Sequence, residues 1–296
     1  MSNLLYRSLM FVPAHNERLM ASAAKSPADI LLLDLEDSVQ PRENKQIARD
    51  SILLNIENGL LNNRTIFPRV NDRESGELLK DLQQLTVLGV DGFVYPKSET
   101  GKDIYFLDRL LETIEYEKGF PVGTFKIIPL IETAGAVLNA ADICGASKRV
   151  VAIAFGCEDY ITDIEGIHDL EGDSIATARA MVAMAARSCG VVPVDTVHIR
   201  VHDLEHLELN LAYAKKLGFE GMLVLNPKEI PLVHEYYSPS KAEVESAKEM
   251  LVLSEEAEKK GAGVAVVNGK FIGPPMVKAA KKLLLKHKLI IERDRI

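Results

Sequence analysis

The 296-residue sequence predicts a (β/α)8 barrel with a C-terminal helical and hairpin extension. Three observations carry the prediction. Eight short runs rich in Ile, Leu, Val and Phe recur along the first three-quarters of the chain, as strands buried on both faces of a parallel sheet require. Segments with helical spacing separate them. Gly89, Gly190 and Gly218 stand where such segments give way to the next strand, a helix C-terminal signal. Periodicity cannot show closure, so a doubly wound sheet shares the pattern.

The candidate strands are Ser8–Pro13, Asp29–Asp37, Thr65–Asn71, Gly92–Lys97, Phe125–Thr133, Arg149–Asp159, Pro193–Ile199 and Gly221–Asn226. The candidate helices are Glu17–Lys25, Glu43–Leu61, Gly76–Leu88, Lys102–Lys118, Ala134–Cys144, Ser174–Ser188 and Asp203–Leu217. After the eighth strand the pattern changes. Lys241–Lys260 is a charged amphipathic helix, and Val264–Val267 and Lys270–Ile272 flank the two-residue turn Asn268-Gly269 as a hairpin. Pro274-Pro275 opens a Lys-rich helix to about Leu289. The division expected is a catalytic barrel over 1–235 and an extension over 236–296, too small for its own core and therefore packed on the barrel or on a neighbouring subunit.

Composition excludes several classes. The 47% apolar and 26% charged content is that of a globular protein. With 43 acidic against 35 basic side chains the net charge is −8, against a nucleic-acid-binding role. No apolar run approaches the roughly 18 residues that span a bilayer. Arg7 and Pro13 interrupt what a secretory leader would need, and three cysteines without CxxC spacing suit a reducing compartment. These features predict a cytoplasmic protein without membrane or nucleic-acid partners.

Working residues of such barrels sit at the C-terminal ends of strands. Those ends hold Asp34-Leu35-Glu36-Asp37, Arg69-Val70-Asn71-Asp72, Lys97, Glu132 and Glu158-Asp159. Strands five and six are neighbours in a barrel, so Glu132 and Asp159 can share one cation. A few protein oxygens completed by water and substrate is how Mg²⁺ is commonly held. Arg69 can grip a carboxylate with two parallel hydrogen bonds. Strand-end carboxylates also cap helices, and Arg–Asp pairs are often structural. The residues alone point to metal-assisted chemistry on a small anionic substrate.

At these positions the sequence resembles the citrate lyase β-subunit family of the HpcH/HpaI aldolase superfamily. The matching stretches are RSLMFVPAHNERLM, LLLDLEDSVQPRENKQIAR, PRVND, YPKSET, IPLIETAGAV, IAFGCEDY, GFEGMLVLNPKEI and GVAVVNGKFIGPPMVKAA, in family order from residue 7 to about 280. The resemblance implies a barrel that cleaves a carbon–carbon bond in a 3-hydroxy-acyl thioester, citryl, citramalyl-CoA or malyl-CoA, to a 2-keto acid and a thioester enolate. It implies Mg²⁺ as cofactor, with Glu132 and Asp159 as ligands. It places Arg69 against the thioester carbonyl and substrate carboxylate, and Glu36 and Asp37 in the same site; Lys97, at the fourth strand end, is a further candidate for substrate binding. Asp37 is the candidate base.

The acyl carrier is CoA or a carrier protein, and other citrate lyase subunits are possible partners. Homo-oligomers, trimers or hexamers, are expected by resemblance. Three positions depart from the family. Gly273 stands where many relatives have an aspartate, Ala14 replaces the glycine of FVPG, and Asn226 replaces a histidine.

Other signals read as structural. His198, His202 and His206 stand four apart, but His198 falls at a strand end and no HExxH is present. Cys157 reads as a small hydrophobe. Gly261-Ala262-Gly263 lacks the flanking pattern of a phosphate loop. Lys278–Lys288 reads as a solvated helix face, with a CoA phosphate or an acidic carrier protein as the alternative contact.

Overall fold

The computed structural model describes residues 4–169, 171–259, 265–267 and 270–294. It has two compact units, Tyr6–His234 and Met1–Leu5 with Glu235–Ile296.

The larger unit alternates strands and helices. The strands are β1 (Ser8–Pro13), β2 (Ile30–Asp34), β3 (Thr65–Ile66), β4 (Gly92–Tyr95), β5 (Lys126–Ile131), β6 (Ala152–Phe155), β7 (Val192–Asp195) and β8 (Gly221–Val224). The helices between them are α1 (Glu17–Ala24), α2 (Asn44–Glu57), α3 (Leu78–Leu85), α4 (Gly101–Lys118), α5 (Ala134–Leu138), α6 (Ala140–Gly145), α7 (Cys157–Asp163), α8 (Asp173–Cys189) and α9 (Leu204–Leu217). A 3-10 turn, Pro227–Glu229, leads into α10 (Ile230–Tyr237). Gly190 and Gly218 cap α8 and α9 in the left-handed conformation, at φ 72° and 94°.

All eight strands are parallel, in the order β3-β2-β1-β8-β7-β6-β5-β4. The ends of that order join. Asp91 N donates to Ile66 O (3.0 Å), Val94 N to Pro68 O (2.9 Å), and Val70 N to Val94 O (3.1 Å). The sheet is therefore a ring, which settles barrel against doubly wound sheet. Every residue of β2, β4, β6 and β8 is buried, as strands walled by helices outside and packed side chains inside must be. Each fully buried Leu or Ile there contributes about 1.5–3 kcal/mol of transfer free energy.

Most strands are shorter than the sequence reading has them, and four of the differing boundaries have a specific physical reason. The third strand is regular only over Thr65–Ile66, because Pro68 has no N–H to give a ladder; pairing resumes at Arg69, which bridges Asp34 on one side and Val94 on the other. The sixth strand ends at Phe155, and Cys157–Asp163 is helical, with Glu158 and Asp159 in the first turn where the helix dipole favours acids. The expected helix Ala134–Cys144 breaks at Asn139, whose side chain donates instead to Glu99 O (3.0 Å). The third helix stops at Leu85, where the Thr86 hydroxyl donates to Leu82 O (2.6 Å), so Gly89 belongs to the turn beyond it.

In the smaller unit, α11 (Lys241–Lys259) packs against α12 (Pro274–Arg293), and β9 (Ala265–Val267) pairs antiparallel with β10 (Lys270–Ile272). The Asn268-Gly269 turn and Gly261-Ala262-Gly263 lie outside the described residues. Helix α12 runs beyond Leu289, and Lys278, Lys281, Lys282 and Lys288 on it are exposed. Among the described residues no helix is long and apolar enough to cross a membrane.

Candidate active site at the rim of the barrel

Strand ends on the C-terminal side bring Asp34, Glu36, Asp37, Arg69, Asp72, Lys97 and Glu132 together. Arg69 is the hub. Its Nε and Nη2 donate to the two oxygens of Asp34 (2.6 and 2.8 Å). Its Nη1 meets Glu36 Oε2 at 2.8 Å and Asp37 Oδ2 at 3.4 Å, and its guanidinium carbon lies 4.9 Å from the centre of the Phe11 ring. The two-bond grip expected for a substrate carboxylate is therefore taken by Asp34 of the same chain. What Arg69 has left for a ligand is the outer edge of its Nη groups.

Asp34 is the residue that the sequence reading undervalued. The signal was present: side chains alternate along an extended segment, so Asp34 and Glu36 of Asp34-Leu35-Glu36 share a side. Lys45 was missed as well. Its buried ammonium donates to Leu35 O (2.7 Å) and Glu36 O (2.6 Å), fixing the backbone that carries both acids. Beyond Arg69, the Asn71 backbone and side chain both donate to Asp81 on α3 (2.8 Å each), and Asp81 pairs with Arg49 on α2 (2.6 Å). The Arg69 segment is thus held at both ends.

Lys97 joins the two halves of the cluster. It has a left-handed backbone (φ 51°), which for a lysine costs free energy. In that conformation its N–H donates to Glu132 Oε2 (2.8 Å), while its ammonium reaches Glu36 Oε1 (3.1 Å) and Asp72 Oδ2 (3.3 Å). The Lys97 side chain is half exposed.

Glu132 stands just beyond β5 and is buried. Gly156, just beyond β6, makes room for it: a Cβ there would lie 2.7 Å from Glu132 Cγ and 3.0 Å from Oε1. Asp159, in the first turn of α7, is exposed and near enough to act on the Glu132 charge. Glu158 is exposed and 3.4 Å from His168.

Burial pushes the carboxyl groups of Glu36 and Glu132 up to about 7. For Glu36 the pull of Arg69 opposes this and Asp37 and Glu132 reinforce it; for Glu132 the Lys97 N–H opposes it and Asp159 and Asp37 reinforce it. Asp34 is equally buried, yet the Arg69 guanidinium holds it below its usual range. The rim is therefore short of positive charge where Glu132, Asp159 and Asp37 meet. Among the described residues no three His, Cys, Asp or Glu side chains are grouped to hold a metal ion by themselves. Two carboxylates with excess negative charge fit a hard cation that takes its remaining ligands from water and substrate oxygens.

The histidines do not align. His198 precedes α9, with Nε2 at Asp203 O (3.1 Å); His202 is exposed; only His206 is on the helix, its ring 5.3 Å from that of His198. Cys157 is buried, and burial pushes its thiol up to about 12. Asn226 caps the turn after β8, accepting from Lys228 N (3.0 Å).

Residues 7–227, nearly the whole barrel, match the HpcH/HpaI aldolase/citrate lyase family. The chain belongs to that family. It is 34% identical over 290 residues to the citrate lyase subunit beta of Haemophilus influenzae, covering 98% of this chain and 99% of that one. It is 27% identical over 285 residues to a (3S)-malyl-CoA thioesterase of Cereibacter sphaeroides, covering 96% and 95%. Among solved structures it resembles the citrate lyase beta subunit from Mycobacterium tuberculosis complexed with oxaloacetate and magnesium, with a TM-score of 0.65 and 26% identity, covering 80% of this chain and 99% of that one.

Proposed function

We propose that the chain is a Mg²⁺-dependent carbon–carbon lyase that cleaves a 3-hydroxy-acyl thioester, citryl or citramalyl, to a 2-keto acid and an acetyl thioester. The observation that carries the reading is the pairing of a buried, charge-crowded Glu132 and a nearby Asp159 with a buried guanidinium at the rim of a barrel of this family. Glu132 and Asp159 are the residues that would hold the cation. When bound, Mg²⁺ supplies Lewis acidity toward the hydroxyl and carboxylate oxygens of the substrate.

The chain's own groups divide the remaining work. Cleavage leaves negative charge on the thioester enolate oxygen, and the free edge of Arg69 places a fixed positive charge where that charge appears. Asp34 and Glu36 hold the guanidinium in place, so its orientation costs nothing at the moment of reaction. Lys97, half exposed, binds a substrate carboxylate. Asp37, largely exposed and beside Arg69, removes the hydroxyl proton.

The substrate is carried on CoA or on a carrier protein, the latter with the other citrate lyase subunits as partners. We place the protein in the cytoplasm as a homo-oligomer of three or six chains, with the barrel over 1–235 as the catalytic part and 236–296 as its extension. The test is keto-acid release from citryl-CoA, (S)-citramalyl-CoA and malyl-CoA, with and without Mg²⁺. Oxaloacetate marks a citrate lyase β chain, and pyruvate or glyoxylate a stand-alone CoA lyase. Glu132→Gln or Asp159→Asn lowers Mg²⁺-dependent release by more than about a hundredfold with an unchanged circular dichroism spectrum; unaltered turnover sinks the assignment.

Gly273 favours a second reading, a thioester-binding barrel that turns over slowly or not at all. It is the residue before α12 and brings no side chain where many relatives bring an acid. Under that reading Gly273→Asp raises solvent-deuterium incorporation into acetyl-CoA, and no gain removes it.

A further inference from the structure

Two of the three cysteines lie on packed helices outside the barrel strands, away from the chemistry proposed above. Cys189 is the last residue of α8 and is exposed; Cys144 is on α6 and is buried. Cys189 Sγ lies 3.5 Å from Ala141 O, and 3.8 Å from where a Cβ on Gly145 would stand. Ala141, Cys144 and Gly145 are one helical turn apart and share a face of α6. The small residues Ala141 and Gly145 let α8 pack closely on that face, so Cys189 Sγ lies against the same turn of α6 that carries Cys144.

We propose that Cys144 and Cys189 are an oxidant-modifiable pair that closes reversibly to a disulfide between α6 and α8. The oxidant class is a hydroperoxide. The exposed Cys189 attacks first: its thiolate sulfur breaks the O–O bond, giving a sulfenic acid and the alcohol, or water when the oxidant is hydrogen peroxide. Cys144 sulfur then displaces the sulfenic hydroxyl, which leaves as water with the Cys144 proton, and the S–S bond forms. Two thiols and one peroxide become one disulfide, one water and one alcohol. A dithiol reductant reverses the change by thiol–disulfide exchange.

Burial pushes the Cys144 thiol up to about 12, and its neighbour Cys189 adds to the shift. Cys144 is therefore the slower nucleophile, fitted to resolve an oxidised partner rather than to meet the oxidant. Cys157, buried beside Glu158 with its Sγ 3.4 Å from Oε1, supplies an internal control.

The experiment treats the reduced full chain with hydrogen peroxide and reads intact mass, denatured thiol titre and peptide maps. The expected result is a loss of about 2 Da, a titre falling from three thiols to one, and a linked peptide pair containing 144 and 189, all reversed by dithiothreitol. The oxidised chain melts at a higher temperature, because the crosslink constrains the unfolded state. Cys189→Ser and Cys144→Ser each prevent the 2 Da loss. A titre that stays at three, sulfinic acid on Cys189 alone, or disulfide-linked dimers overturns the proposal. The map of the parent chain decides the matter even if a serine variant fails to fold.

Discussion

Replacing Gly156 by alanine tests the proposed cation site through sterics alone. Gly156 has φ −104° and ψ 95°, which any residue adopts, so alanine meets no backbone strain there. Its methyl would lie 2.7 Å from Glu132 Cγ and 3.3 Å from Cδ. Carbon–carbon contacts prefer about 3.5–4.0 Å, so Glu132 must retreat by roughly 1 Å. The flexible end of the side chain cannot absorb this, because Cγ itself is struck and Oε2 is tied to Lys97 N. Mg²⁺ accepts oxygens only near 2.0–2.1 Å in octahedral array, with little tolerance for a displacement of that size. The expected result in isothermal titration is Mg²⁺ binding weakened about 10–100-fold, the range found when a ligand's supporting shell is disturbed. Thermal denaturation should show a smaller cost, about 1–3 kcal/mol, as for other overpacked sites. Mg²⁺ affinity equal to that of the parent chain would refute the assignment of Glu132 as a ligand.

Other outcomes follow from the same cluster. Asp34→Asn leaves a buried guanidinium without its principal partner and should cost about 3–5 kcal/mol in urea denaturation; a cost under about 1 kcal/mol would show that Glu36 and Asp37 suffice. Stability should also depend on pH in a direction opposite to ordinary acid denaturation. Glu36, Glu132 and Glu229 sit at about 7 in the folded chain against 4.5 when exposed, so the folded state holds more protons between those values. Their contribution is whole below about 4.5 and is lost as pH rises through about 7. Chelator-treated protein should therefore be less stable at pH 7.5 than at pH 5.5, with Mg²⁺ restoring stability at the higher pH; a flat profile would contradict the charge crowding described here.

The positions of most of these residues were legible in the sequence, and what was not has separate physical causes. Glu36, Asp37, Arg69, Lys97 and Glu132 all stand where strand ends were expected, because apolar runs of four to six residues mark buried strands well. The segment holding Asp159 was read as strand, since Cys157 and Ile161 offer only one helical repeat of apolar residues to set against the run before them. That Arg69 spends two nitrogens on Asp34 was not legible, because pairing depends on which carboxylate the closed ring brings nearest. Lys45 escaped for the converse reason. A lysine in a helix reads as solvated, and only the fold shows carbonyl oxygens waiting for it. The approach of Cys189 to the turn of α6 that carries Cys144 depends on helices that no local pattern places side by side.

Arg69 also closes the barrel. Its N–H donates to Leu33 O and its carbonyl accepts from Leu35 N, while the next residue, Val70, donates to Val94 across the seam. The same peptide unit therefore sets the register of the ring and aims the guanidinium. Side chains along a strand alternate between two faces, so one residue inserted or deleted between Ile66 and Arg69 would turn the guanidinium toward the outer helices or break the seam. Point substitutions at 69 can alter chemistry and leave the ring intact, but length changes in this stretch cannot. Across related chains, the spacing from the third strand to this arginine should be the stricter constraint, with loop length free to vary on the far side of Asp72.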